Sequence, residues 1–244
     1  MVALQLPDVI RIPFQQDKVY SVEALCIVLC RLSYPTRRRD MSRLFRRHTS
    51  ALSRIFNYTI GCILQKVKSS VTVLPVEHQR LVEYTRAFGE KHGAPVHIIP
   101  LVAVIDVKKH QISRPSIHQK SLYSGHTRYH CLKYQTLEAP DGLILHCSAS
   151  EDGRCGDGYI LRCSNLENYW RHNNDLNGFM ILGDSAYPNN DVIVSLYKGS
   201  NLPAQAKAFN KMFVPLCTCV EWGYAKVVNT CTLHWSHYGE WQCG

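Results

Sequence analysis

Between Leu101 and Pro115 the chain reads LVAVIDVKKHQISRP, and five consecutive apolar residues, Leu101 to Ile105, lead straight into Asp106. An apolar run of that kind predicts a central strand covered on both faces, because a half-exposed strand would alternate polar and apolar positions. An ionised aspartate there is costly unless it meets a cation or sits where the strand opens. Asp106 is therefore expected at the open end of the strand. A lone aspartate at such a point would simply cap a turn, but other acids accompany this one. A second apolar segment, Phe179 to Leu182, runs into GDSAYP and delivers Asp184, and Glu221 falls in CVEWGYAKVV, which reads as helical. Carboxylates delivered by two strand ends and a helix form a donor set for hard divalent cations, Mg²⁺ or Mn²⁺. Two such ions can stabilise both the attacking and the leaving oxygen of a phosphodiester.

With 244 residues, 45% of them apolar, the chain can bury a sizeable core, which excludes a disordered tail. No apolar run approaches the roughly 20 residues that cross a bilayer. The opening MVALQLPDVIRIPF lacks the features of a signal peptide, so a soluble, intracellular protein without membrane contact is expected. The net charge of +9 is unevenly placed: residues 1–68 hold 12 Lys+Arg against 4 Asp+Glu, and the remainder 16 against 15. A basic arm on a nearly neutral body predicts a polyanion contact made by the arm. A solvated basic face without a partner is the plainer alternative. The eleven cysteines include no CxxC pair, and His146, Cys147, Cys155 and Cys163 fit no zinc knuckle. Buried free thiols in a reducing compartment are expected.

Taken in order, residues 1–20 read as an extended lead-in. Ser21 can cap a helix from Val22 to Leu32 with Leu25, Val28, Leu29 and Leu32 on its buried face, and Tyr34-Pro35 ends it. Asp40 is expected to cap a short helix through Phe45, and Thr49 or Ser50 a third, with Leu52, Ile55, Phe56, Ile60 and Ile63 inward. Three short helices in this order read as a helix-turn-helix. Its later part is rich in arginine: Arg37, Arg38, Arg39, Arg43, Arg46, Arg47 and Arg54 suit phosphate oxygens, while Ser50, Ser53, Arg54 and Asn57 would reach bases. A purely structural three-helix bundle is the competing expectation. This region, 1–75, is followed by a linking helix in 76–98 that ends at Gly93-Ala94-Pro95, and by a body over 99–230. In the body, the Asp106 strand, a strand over Arg128 to Leu137, a turn at Pro140-Asp141-Gly142 and a strand over Leu143 to Ser148 form a meander. EDGRCGD delivers Asp157 to a helix reaching about Trp170. Further strands follow at Phe179 to Leu182 and Val192 to Tyr197, then helices at Ala204 to Phe213 and Thr218 to Val228. His126, Arg128, His130 and Lys133 are candidates for backbone contact with nucleic acid or for ordinary solvent-facing positions. The expected fold class is α/β: a ribonuclease H-like domain, a mixed sheet flanked by helices, preceded by a small all-α helix-turn-helix unit.

The segments IDVKKHQISRP, HQKSLYSGHTRYHCLKYQTLEAPDGLI, GDSAYP and FNKMFVPLCTCVEWGYAKV together resemble the nuclease domain of Harbinger-type transposases and of nucleases derived from them. EALCIVLCRLSYPTRRRDMSRLFRRHTSALSRIFN resembles the helix-turn-helix region that precedes it in that family. The resemblance covers most of residues 14–230. It implies a DDE-type site with Asp106, Asp184 and Glu221 as catalytic metal ligands and Asp157 as a fourth. It also implies Mg²⁺ or Mn²⁺ as cofactor, DNA as substrate, a separate DNA-binding partner protein, and a nuclear or nuclear and cytoplasmic location. In the implied mechanism two metal ions activate a water and stabilise the leaving 3′ oxygen, and attack by that 3′-OH on target DNA gives strand transfer.

Three departures stand out. The family places Gly-Thr after its first aspartate, where this chain has Val107-Lys108; a turn needing positive φ would not accept valine. The family's Arg before the late glutamate segment is replaced by the run Cys217-Thr218-Cys219, and residues 231–244 read as a divergent, truncated tail. An active nuclease, degraded or domesticated, is thus weighed against a catalytically inactive DNA-binding protein that keeps the basic helices, and against a ribonuclease with the same fold and metals.

Overall fold

The computed structural model describes residues 6–33, 37–72, 75–92 and 99–230, with side chains described except at 67–72, 91–92 and 218–230. The expected breaks at Tyr34-Pro35 and Gly93-Ala94-Pro95 and the tail 231–244 lie outside the described residues. Two compact units emerge, one containing Met1–Ser70 and the other Val71–Ala225.

In the first unit, β1 (Val9–Arg11) and β2 (Lys18–Tyr20) pair antiparallel, so the lead-in is a hairpin rather than an unpaired extended segment. Its inward residues Ile10 and Val19 are directly opposed and buried. Three helices follow: α1 (Ser21–Ser33), α2 (Arg38–Phe45) and α3 (Thr49–Thr72). Helix α1 buries Ala24, Ile27 and Val28, whereas Leu29 is exposed. Leu25 and Leu32 are half-buried, so the buried face is turned from the expected leucines toward Ala24 and Ile27. Asp40 lies inside the first turn of α2 rather than capping it; Arg37 holds the N-cap position with no side-chain bond. Leu52 and Ile55 of α3 join Met41 and Ile27 in the core, while Ile60 and Ile63 are only half-buried.

The second unit is a mixed α/β arrangement. It opens with α4 (His78–His92) and β3 (Leu101–Gln111), followed by α5 (Gln119–Leu122), β4 (Tyr123–Ser124), β5 (Tyr129–Glu138), β6 (Ile144–Cys147) and β7 (Glu151–Asp152). Then come α6 (Asp157–Ser164), α7 (Leu166–His172), a short 3₁₀ turn over Asn174–Leu176, β8 (Met180–Gly183), β9 (Ile193–Ser195) and α8 (Ala204–Thr230). The sheet runs β4-β5-β3-β8-β9, with β6 and β7 also paired to β5. Strand β3 is antiparallel to β5 and parallel to β8, and β8 is parallel to β9.

The apolar run therefore becomes the central strand. On one face Ala103, Ile105, Leu137 and Ile181 pack against Ile160, Leu161, Leu166 and Trp170 of α6 and α7. On the other, Val104 and Leu182 pack against Phe213 and Leu216 of α8 and Phe88 of α4. The helix expected from Asp157 to Trp170 is divided at Asn165, whose φ of 55° ends α6 before α7 begins. The two late helices are one, α8, with the exposed Pro215 inside it. Buried Phe213 and Leu216 on either side hold the helix against the sheet and so carry it past the proline. No described helix is long and apolar enough to cross a membrane.

Candidate functional site

Asp106 is the sixth of the eleven residues of β3, not its last. The polar continuation Lys108 to Gln111 remains a strand because β5 pairs with it out to Gln111 opposite Cys131. On the other flank the ladder to β8 ends at Ile105 opposite Gly183. Asp106 and Asp184 are the residues that follow this last pair of two parallel strands, so on the β8 side Asp106 does lie where the pairing opens. Val107 is 8% exposed within the strand and has no positive φ, so the expected strain at a tight turn does not arise.

Side chains alternate along a strand, so Val104, Asp106 and Lys108 share the α8 face with their cross-strand partners Glu138, Thr136 and Tyr134. Asp106 Oδ1 accepts the Val107 N–H at 2.7 Å, and Oδ2 accepts from Lys108 Nζ at 2.7 Å. Asp157, the first residue of α6, belongs to the opposite face. There Lys133 is buried, donating to the Cys155 carbonyl at 2.5 Å and lying 3.5 Å from Asp157 Oδ1. Lys133 is therefore an interior support of the α6 start, not a solvent-facing contact. His126 and Arg128 are exposed in the turn before β5, and His130 stacks edge-on with Tyr123.

Asp184 closes a tight turn, accepting the Ala186 N–H on Oδ1 at 2.9 Å while its carbonyl accepts from Tyr187 N at 3.2 Å. Gly183 makes room for that turn: a Cβ there would come within 3.0 Å of Tyr187 Cβ. Burial pushes the Asp184 carboxyl up, and the charges of Asp106 and Asp157 push it further, against the lowering by the Ala186 N–H and Lys109. The three aspartates thus converge electrostatically. Tyr187 feels the charge of all of them: burial and then the charges of Asp106, Asp157 and Asp184 push its hydroxyl strongly up, and that hydroxyl has no hydrogen-bond partner among the described residues. Glu221 lies in α8, with its side chain outside the described residues.

Two further participants escaped the sequence. Glu138 is 2% exposed on the Asp106 face; burial pushes it up to about 7, with Lys108 and the Thr136 hydroxyl opposing and Asp106 adding to the shift. Tyr187 stands in GDSAYP, where nothing in the sequence marks it as buried. The available signal for Glu138 was a charged residue two positions from Thr136 in a strand that must be covered on both faces.

Among the described residues, no group of three or more His, Cys, Asp or Glu side chains is placed to hold a metal ion. The donor chemistry nevertheless fits a divalent cation. Asp106, Asp157 and Asp184 are hard oxygen donors, and Asp184 is raised by burial first and then by the charges of the other two, so a cation near Asp184 would favour its ionised form.

In the first unit, Arg37, Arg39, Arg43, Arg46, Ser50 and Asn57 are exposed, as is Arg38, which also has a partner. Ser50 Oγ is 2.7 Å from His48 Nδ1. Two of the expected DNA contacts are engaged internally. Arg47 binds Glu23 of α1 through two bonds of 2.6 and 3.0 Å, and Arg54 binds Asp17 beside the hairpin at 2.6 Å. The spacing of arginines could not reveal these pairs, because Glu23 and Asp17 are distant in sequence.

No curated protein and no solved structure matches the chain. A family model described as DDE superfamily endonuclease matches residues 105–230, more than half of the chain. The match begins one residue before Asp106 and takes in the start of α6, the β8 turn and α8 through to Thr230. By this match, over the unit in which three aspartates converge on one end of the sheet, the chain belongs to the DDE superfamily endonucleases.

Proposed function

We propose that the chain is a divalent-metal-dependent DNA endonuclease of the transposase kind, from the Harbinger-type branch. Its body over 99–230 would be a ribonuclease H-like nuclease domain and its region 1–75 a DNA-reading helix-turn-helix. The observation that supports this best is the placing of Asp106 and Asp184 at the end of the β3–β8 ladder, with Asp184 raised by burial and then by its acidic neighbours. Asp106, Asp184 and Glu221 would hold Mg²⁺ or Mn²⁺, with Asp157 a fourth ligand. The chemistry supplied by a pair of such ions is activation of the attacking water and neutralisation of charge at the scissile phosphate and the leaving 3′ oxygen. The chain's own part is to fix those oxygens: β3 and β8 set two of them through backbone pairing, and the Ala186 N–H orients Asp184. Exposed Arg37, Arg38, Arg39, Arg43 and Arg46, with Ser50 and Asn57, would meet DNA, and the protein would act in the nucleus with a separate DNA-binding partner protein.

Thermal unfolding with and without Mn²⁺, beside a plasmid-nicking assay, tests this reading. Metal at a hundred times its dissociation constant should stabilise the wild type by about 2.7 kcal/mol. Asp106→Ala and Glu221→Ala should abolish both the stabilisation and the nicking. A wild type that neither gains stability nor cuts would overturn the catalytic reading.

A further inference from the structure

The outward face of the β1–β2 hairpin carries both charge and exposed apolar surface. Side chains alternate along each strand, so Ile10 and Val19 point into the core while Val9, Arg11, Lys18 and Tyr20 point away from it. The register sets Arg11 directly opposite Lys18, and Val9 opposite Tyr20. Two cations that face each other across an antiparallel pair repel and weaken it. Here both are exposed, and among the described residues neither has an ion-pair or side-chain hydrogen-bond partner. Exposed Val9 and Tyr20 continue the same face as an apolar patch.

The loop that joins the strands also departs from ordinary preference. Gln15 N donates to the Ile12 carbonyl at 3.3 Å, which makes Ile12 to Gln15 a tight turn with Pro13 and Phe14 at its centre. Phe14 holds a φ of 60°, in the left-handed region that such a turn normally fills with glycine. A bulky side chain makes that conformation costly. Burial gives nothing back, because Phe14 is fully exposed. The turn is nevertheless well fixed. Pro13 sets one of its torsions, Ile12 is buried beneath it, and Arg54 of α3 holds Asp17 at 2.6 Å. An aromatic ring is thus presented to solvent at the tip of an anchored ribbon whose outward face is cationic.

The charge and the ring together narrow the partner. Two opposed, unpaired cations favour a polyanion laid across them, and phosphate oxygens are what Arg and Lys side chains take on a duplex. Two-stranded ribbons enter DNA grooves, and phenylalanine is among the apolar wedges that unstack a base step.

We infer that the β1–β2 hairpin is a DNA-binding ribbon, with Arg11 and Lys18 holding phosphates of a duplex and Phe14 entering a base step as a wedge. The inference rests on the reading of DNA as the substrate, but it does not need the arginines of α2. Bound phosphates relieve the repulsion between Arg11 and Lys18, and stacking gives the Phe14 ring the cover that folding withholds.

The test is binding of the full chain, without metal, to a duplex labelled at both ends. Anisotropy over a range of salt gives the salt slope, and energy transfer between the labels reports bending. Arg11→Gln with Lys18→Gln should reduce the slope by about two, as the loss of two phosphate contacts requires. Phe14→Gly should weaken binding about tenfold and abolish the bend with the slope unchanged. Neither variant should melt below the wild type, since one removes a repulsion and the other places glycine where the turn favours it. Hairpin variants that bind and bend DNA as the wild type does would overturn the ribbon. If Arg43→Ala with Arg46→Ala then lowers the slope in the same assay, DNA contact by the helices stands without it. A wild type that binds no duplex at low salt overturns both. A bend that persists in Phe14→Gly overturns the wedge. Sedimentation showing that Phe14→Gly turns a dimer into a monomer would assign this face to a second copy of the chain and overturn the inference as well.

Discussion

Glu138 is a carboxylic acid held almost wholly out of water, at 2% exposed. With its carboxyl raised from 4.5 to about 7, the folded chain holds a proton between those values that the unfolded chain has released. Stability is therefore greatest below about pH 4.5 as far as this group is concerned, and falls as pH rises through 7, by on the order of 3 kcal/mol. Denaturant unfolding at intervals from pH 5 to 8 should show that decline in the wild type and a flatter profile in Glu138→Gln. Other carboxylates contribute slopes of their own, so the difference between the two proteins carries the test. Gly183 is constrained in another way. Its missing Cβ leaves the space that Tyr187 fills, so Gly183→Ala should cost about 1–3 kcal/mol through a forced shift of a buried ring. Chemical denaturation measures that cost directly, and loss of Mn²⁺ affinity should accompany it because Tyr187 and Asp184 share one turn.

At the scale of elements, helix α4 is fastened to the turn between β5 and β6 by one carboxylate. Asp141 Oδ2 accepts from Tyr84 at 2.8 Å and from Arg80 at 2.7 Å, and its other oxygen accepts the Leu143 N–H at 2.9 Å. Tyr84 is 5% exposed and, through burial and this acidic partner, is pushed up to about 12. Asp141→Ala should leave that hydroxyl buried without an acceptor and lower stability by about 1–3 kcal/mol. Tyr84→Phe in the same background should recover part of the loss, which paired unfolding measurements would show. Sequence had marked Pro140-Asp141-Gly142 as a turn, and a turn it is, with Gly142 at a φ of 82°. The helix that Asp141 holds could not be read from the turn, because its partners lie 57 and 61 residues away.

Across the whole molecule the basic charge is concentrated in residues 1–68, but its arginines are not equivalent. Arg43 and Arg46 are exposed, whereas Arg47 and Arg54 hold Glu23 and Asp17. If the first unit meets DNA, Arg43→Ala with Arg46→Ala should weaken binding to all sequences alike and reduce the salt slope by about two. Arg47→Ala should instead lower thermal stability, since it strands the partly buried Glu23. Fluorescence-anisotropy titrations over a range of salt, with melting curves alongside, distinguish these outcomes. What the sequence determined by itself was local: the run Leu101 to Ile105 had to become a doubly covered strand, Asp106 and Asp184 had to follow apolar segments, and the order of the longer strands of the body followed from periodicity. Tertiary structure alone decided where β3 stops, since its polar half remains a strand through hydrogen bonds to β5, and those bonds are indifferent to side-chain polarity. It also decided that Lys108 bonds Asp106 while Glu138 bonds Thr136, the cross-strand partner of Asp106, and that two arginines close ion pairs. The reason is that hydrophobic periodicity encodes which face of an element is covered, whereas the partner of a charged group is chosen by strand register and chain reversal, over separations that no local pattern spans.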